Sequence, residues 1–169
     1  NPIITWNGYI VDGHTRYRIL KKHQFIQFEV IEKDFANRFE VLAWICKNQL
    51  GRRNLTPEQK KFLIGRQQEA EKNSVGGDRK SQKAKSEVQN EPLIYASTAA
   101  RVAAEMGVSE SYVKRAAKYA RGVDAAEEAV PGAKNEILSG KLKATDAEII
   151  ALAQLSKEEI HAALDELRK

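Results

Sequence analysis

Two short stretches of this 169-residue chain combine residue types at spacings that could do chemistry. In the first, the apolar run Tyr9-Ile10-Val11 leads through Asp12 into Gly13, His14, Thr15, Arg16, Tyr17 and Arg18. A strand that passes through a glycine into a helix leaves the first backbone N–H groups of that helix unpaired at the positive end of its dipole. Such a turn can hold a phosphate. Gly13 would let the ligand approach the backbone, and Arg16 and Arg18 would add charge. The same residues also fit an ordinary strand-to-helix turn with solvated arginines.

In the second stretch, three residues separate Ala103 from Gly107 and five separate Gly107 from Val113. That is the spacing of a helix-turn-helix, with a small residue where two helices touch, glycine in the turn and a β-branched anchor in the second helix. Ser109 reads as the N-cap of that second helix, which is expected to run to about Arg121. Ser111, Tyr112, Lys114, Arg115 and Lys118 then lie away from Val113, Ala116, Ala117 and Ala120. A polar and basic face of this kind suits a helix lying in the major groove, although an amphipathic helix in a bundle shows the same pattern.

The order Gly13, two polar residues, Arg16, Tyr17, Arg18 resembles the signature of the ParB partition-protein superfamily, whose N-terminal domain also includes sulfiredoxins. Asn48-Gln49-Leu50-Gly51-Arg52-Arg53-Asn54-Leu55-Thr56-Pro57-Glu58 resembles its second box. The resemblance covers roughly residues 1–72, and the helical region beyond is similar to the DNA-binding part of the same proteins. It implies CTP or another nucleotide with magnesium, held by Gly13, His14, Thr15, Arg16, Arg18, Asn48, Gln49 and Arg52. Asn48 stands where a metal-binding carboxylate is expected, and Thr15 replaces an arginine, so binding is expected without fast hydrolysis. A sulfiredoxin reaction would need cysteine at His14. His14, His23 and His161 are scattered, and no spacing makes a metal site.

These residues need elements to position them. Asn7-Gly8 between two β-branched and aromatic runs is a hairpin signal. A helix from about Thr15 to His23, a strand near Phe25–Ile31 and a helix opening near Asp34 follow, with Val41, Leu42, Ile45 and Cys46 at core spacing. Thr56 and Gln59 make a capping box with proline first in the helix, predicting a helix over 57–72. Thr145 with Glu148 and Ser156 with Glu159 are two more such boxes, and Pro131 to Gly140 brackets a short helix. Residues 73–92, with Arg79, Lys80, Lys83 and Lys85, read as a flexible basic linker.

The expected architecture is an α+β ParB-like domain over residues 1–72, lacking its first strand, then the linker, then an all-α helix-turn-helix domain over 93–169. The net charge is +5, and the positive excess lies before residue 124, since 124–169 hold 6 basic against 10 acidic side chains. No apolar run approaches the 18 residues of a membrane span, and one cysteine forms no disulfide framework within the chain. The sequence opens on Asn1 and is expected to be partial. The expected function is duplex DNA binding in plasmid or chromosome partition, or regulation on a mobile element. Further copies of the chain are expected partners and the location cytoplasmic, on the nucleoid. The alternative is a nucleotide-binding enzyme of the superfamily, a CTPase or other NTPase, or a nuclease. A third reading is an adaptor whose helical half binds only protein.

Overall fold

Asn7 and Gly8 turn the chain with φ of 48° and 79°, the left-handed pair that a two-residue hairpin requires. In the computed structural model, which describes residues 1–23, 25–52, 54–76 and 97–169, they join β1 (Ile3–Trp6) to β2 (Tyr9–Asp12). These strands are antiparallel with Trp6 opposite Tyr9. β3 (Val30–Glu32) pairs with the other side of β1 in parallel, giving the order β2-β1-β3. The strand expected over Phe25–Ile31 is thus largely absent. β1 begins at Ile3, which faces Val30, so residues before Val30 have no partner strand, and Phe25 is 84% exposed.

α1 (His14–Lys22) follows Gly13. α2 (Arg38–Leu50) starts later than the expected opening near Asp34. The Asn37 side chain caps it, accepting from Phe39 N at 2.9 Å and Glu40 N at 3.1 Å. Phe35 stays outside because its carbonyl accepts from the Trp6 indole at 3.2 Å and its ring packs between Trp6 and Trp44. Of the four expected core positions, Val41 and Cys46 are buried and Leu42 and Ile45 half-buried.

α3 (Pro57–Gly76) begins at the expected capping box: Gln59 N donates to Thr56 Oγ1 and Thr56 N to Gln59 Oε1. It runs past Lys72, so residues 73–76 are helix, while 77–96, with the four basic linker residues, lie outside the described part. α4 (Thr98–Met106), α5 (Glu110–Ala129), α6 (Ala133–Leu138), α7 (Asp146–Leu152) and α8 (Lys157–Leu167) complete the chain. Both late capping boxes form. The described residues make a mixed α+β fold, mostly helical, with one small sheet. No helix among them is long and apolar enough to cross a membrane.

Helix α3 organises the packing. Ile64 belongs to a cluster with Val102, Ala103, Val113 and Ala116 of α4 and α5, and Phe62 to a second with Tyr119, Val123, Ile137, Ile149 and Leu164. The helix assigned by sequence to residues 1–72 therefore contributes core to the helices of residues 97–169, as well as packing on α2. Thr56 adds a direct tie, donating from Oγ1 to the Leu138 carbonyl at 2.7 Å.

Close approach is made possible by two glycines. A methyl on Gly65 of α3 would lie 2.1 Å from the Ala116 carbonyl oxygen of α5, and one on Gly122 of α5 would lie 1.8 Å from that of Ile149. Helix axes this close need residues without a Cβ at the crossing. Gly122 lies inside α5, which passes the expected Arg121 and reaches Ala129.

Candidate nucleic-acid interface and phosphate cleft

The α4-turn-α5 unit has the geometry that its sequence spacing demands. Gly107 ends α4 in the left-handed region at φ 64°, Val108 N bonds back to the Ala103 carbonyl at 3.0 Å, and Ser109 Oγ accepts from Tyr112 N at 3.2 Å to start α5. Ala103 and Val113 are both buried, Val113 completely. The small residue, the turn and the anchor therefore meet as expected.

Opposite Val113, Ala116, Ala117 and Ala120, the side chains of Ser111, Lys114, Arg115 and Lys118 stand in solvent, and Ser109 is exposed at the cap. Tyr112 departs from this face in part. It is half-buried and packs against the Ile64 and Val113 cluster. The basic residues of this region divide into two groups. Arg101 pairs with Glu71 at 2.7 Å and Arg121 with Glu69, so both hold α4 and α5 down on α3. Among the described residues Arg115 and Lys118 make no ion pair and Lys114 pairs with Glu110 alone, at 2.8 Å. The cations left outward are those of one helical face.

Beneath this unit a polar network ties α2, α3 and α4. Gln67, 1% exposed, donates from Nε2 to Glu71 at 2.9 Å and to Glu105 at 3.0 Å. Glu105 also pairs with Lys47 of α2, whose ammonium holds its carboxyl below the ordinary value. A network of this kind fixes α4 against α3, because each member would be left unpaired by a slip.

Gly13, His14, Thr15 and Arg16 meet Gln49 and Arg52 across a cleft of about 280 Å³, with Asp12 and Ile45 completing its wall. The two sequence boxes are thus brought together by α2 lying beside the hairpin. Gly13 is the N-cap of α1 at φ 97°, and a methyl there would lie 3.0 Å from Arg16 Nη2 and 3.3 Å from the Ile3 Cα. His14 and Thr15 are exposed on the first turn. Arg16 is partly engaged: Nη2 donates to Asp12 Oδ2 at 3.0 Å and to the Pro2 carbonyl at 2.9 Å, while its buried Nε has no partner among the described residues. Arg18 and Asn48 are exposed and do not line the cleft. A larger cavity of about 840 Å³ shares Gln49 and Arg52 with it and continues past Asn54 and Gln59 to Phe62 and Leu138.

Asp12 is the cleft residue that sequence reasoning passed over; it ends β2, and its contact with Arg16 across Gly13 follows from the turn and not from helical spacing. Its carboxylate, beside the Arg16 guanidinium, gives the cleft mixed charge. Ser97 and Glu110 were also passed over, and they join the first turns of α4 and α5 through a hydrogen bond of 2.9 Å. Among the described residues no three histidine, cysteine or acidic side chains form a cluster that could hold a metal ion. Compared with known protein families, with curated proteins and with solved structures, the chain matches none.

Proposed function

We propose that this chain binds duplex DNA, with α5 laid in the major groove and α4 across the backbone. One observation carries the reading: the outward face of α5 holds Ser111, Lys114, Arg115 and Lys118, while Arg101 and Arg121 are spent on α3. Cations along one face of the second helix of a helix-turn-helix are placed for phosphates and base edges. The resemblance of Gly13–Arg18 and of the second box to the ParB superfamily supports a role in plasmid or chromosome partition, or regulation on a mobile element. On that reading the protein works on the nucleoid and associates with further copies of itself.

The test is selection of bound fragments from random duplex DNA by the full chain, followed by titration of the selected site across a salt series. Exchanging Lys114 and Arg115 for Ala should weaken specific binding by about 1–3 kcal/mol per lost base contact, or lower the salt slope by about one per lost phosphate contact. Equal binding by the double variant at every salt concentration would refute the proposal.

A second reading is favoured by the cleft that gathers Gly13, Thr15, Gln49 and Arg52. We infer a phosphate-bearing ligand there, such as CTP; Asn48, which lies outside the cleft, stands where the resembling family has its metal-binding carboxylate, so binding is expected without fast turnover. Calorimetric titration of each nucleotide with magnesium into the full chain and its Arg52→Ala variant tests this, with phosphate release followed in parallel. Heat lost in the variant and no released phosphate are expected; no heat from any nucleotide would remove this reading, and rapid release would favour the enzyme alternative.

A further inference from the structure

We propose that Glu110 determines specificity on the DNA-reading face, accepting a hydrogen bond from the exocyclic amino group of a cytosine. This rests on the DNA-binding reading above and says which base that face selects. Glu110 is the first residue of α5, directly after the Ser109 cap, where the second helix of such a unit meets base edges. Its side chain is 41% exposed and its carboxylate is fixed from two sides. Lys114 Nζ donates to Oε1 at 2.8 Å, and Ser97 Oγ donates to the same oxygen at 2.9 Å. Ser97 is itself the cap of α4, accepting from Ala100 N at 3.1 Å, so the carboxylate is referenced to the first turns of both helices.

A carboxylate on a surface meant for a polyanion is unfavourable against phosphate, and it is useful only where it meets a donor. Lys114 and Ser97 hold Glu110 ionised, with its carboxyl below the ordinary value. In the major groove, guanine presents acceptors at N7 and O6, thymine an acceptor and a methyl group, and adenine an N6 donor beside its N7 acceptor. Cytosine alone presents a donor, N4, with no neighbouring acceptor on the same base. An acceptor-only group at this place is therefore attracted by cytosine, repelled by guanine and thymine, and at adenine offset between the N6 donor and the N7 acceptor beside it. Both hydrogen bonds fall on Oε1, which leaves Oε2 for the base among the described residues.

The experiment is selection from random duplex DNA by the full chain and by its Glu110→Gln and Glu110→Ala variants, at one salt concentration, followed by titration of each selected duplex. The parent should select a fixed cytosine at one position and bind it about tenfold to a hundredfold more tightly than the other bases there. Glu110→Gln should move the preference at that same position to adenine, since an amide pairs with N6 and N7 together. Glu110→Ala should erase the preference there and keep it elsewhere. Variants that select the parent's site with undiminished preference, or that bind every duplex more tightly by one common factor, would overturn the inference and leave the DNA-binding reading intact. A parent that enriches no sequence would overturn both.

Discussion

Replacing Gly65 with Ala sets two physical effects against each other, and the geometry of one helix crossing decides between them. Inside a helix the exchange is ordinarily favourable by about 0.5–1 kcal/mol, because alanine has less backbone freedom to lose. Here the new methyl would lie 2.1 Å from the Ala116 carbonyl oxygen, 2.5 Å from its carbon and 2.9 Å from Ala117 N. Ordinary contact begins at about 3.4 Å, so the methyl is about 1.3 Å too close to backbone atoms that have no rotamer by which to withdraw. α3 and α5 must part by roughly an ångström, and a gap of that size forfeits about a quarter to a half of the dispersion energy of the atoms lining it. Ile64 and Val113, both fully buried, sit at this crossing. Overpacking of such an interior costs about 1–3 kcal/mol, which exceeds the gain in helix propensity. We expect a net loss of about 1–2 kcal/mol, seen in urea unfolding followed by helical circular dichroism as a lower midpoint with unchanged slope. A midpoint raised by the substitution would refute the close crossing and with it the role assigned to α3.

Stability should fall on acidification in a window set by carboxylates bound in the folded state. Backbone N–H groups of Lys134 and Gly132, at 2.9 and 3.1 Å, hold the Glu127 carboxyl below its ordinary 4.5. A depressed folded value means that this contribution is complete above about pH 4.5 and is lost as pH falls through the folded value. Melting between pH 7 and pH 3 should show this loss, and Glu127→Gln should flatten it; an unchanged pH profile in the variant would count against the cap on α6. Cys46, 4% exposed, has its thiol pushed up to about 11 by burial. Since the thiolate is the nucleophile, alkylation by iodoacetamide at pH 8 should be slow in the native protein and fast in urea, and equal rates would place Cys46 at the surface.

Local signals in the sequence determined the hairpin, the capping boxes and the two-helix unit, whose partners lie within a few residues of one another. Asn7-Gly8 makes its hairpin, and the boxes at Thr56, Thr145 and Ser156 start the expected helices, because a cap is satisfied by the next turn of the same chain. Ala103, Gly107 and Val113 likewise describe one two-helix unit, and its outward cations follow from helical periodicity. Where a distant partner competes, the local signal fails. Asp34 does not open α2 because Trp6 and Trp44 claim Phe35, and Phe25–Phe28 stay out of the sheet because β1 is too short to meet them.

Only the tertiary structure decided what the long-range contacts do. Nothing local marks Gly65 or Gly122 as helix crossings, since a glycine within a helical pattern reads as a weakness until the carbonyl that occupies its missing Cβ is in view. The same holds for Arg16, whose type and place suggest a phosphate donor, while Asp12 and the Pro2 carbonyl take its Nη2. It holds also for α3, which belongs by sequence with the residues before it, yet places Ile64 and Phe62 in the cores built by α4 to α8. Apolar periodicity says that a face is buried; which element buries it depends on packing between residues far apart in the chain.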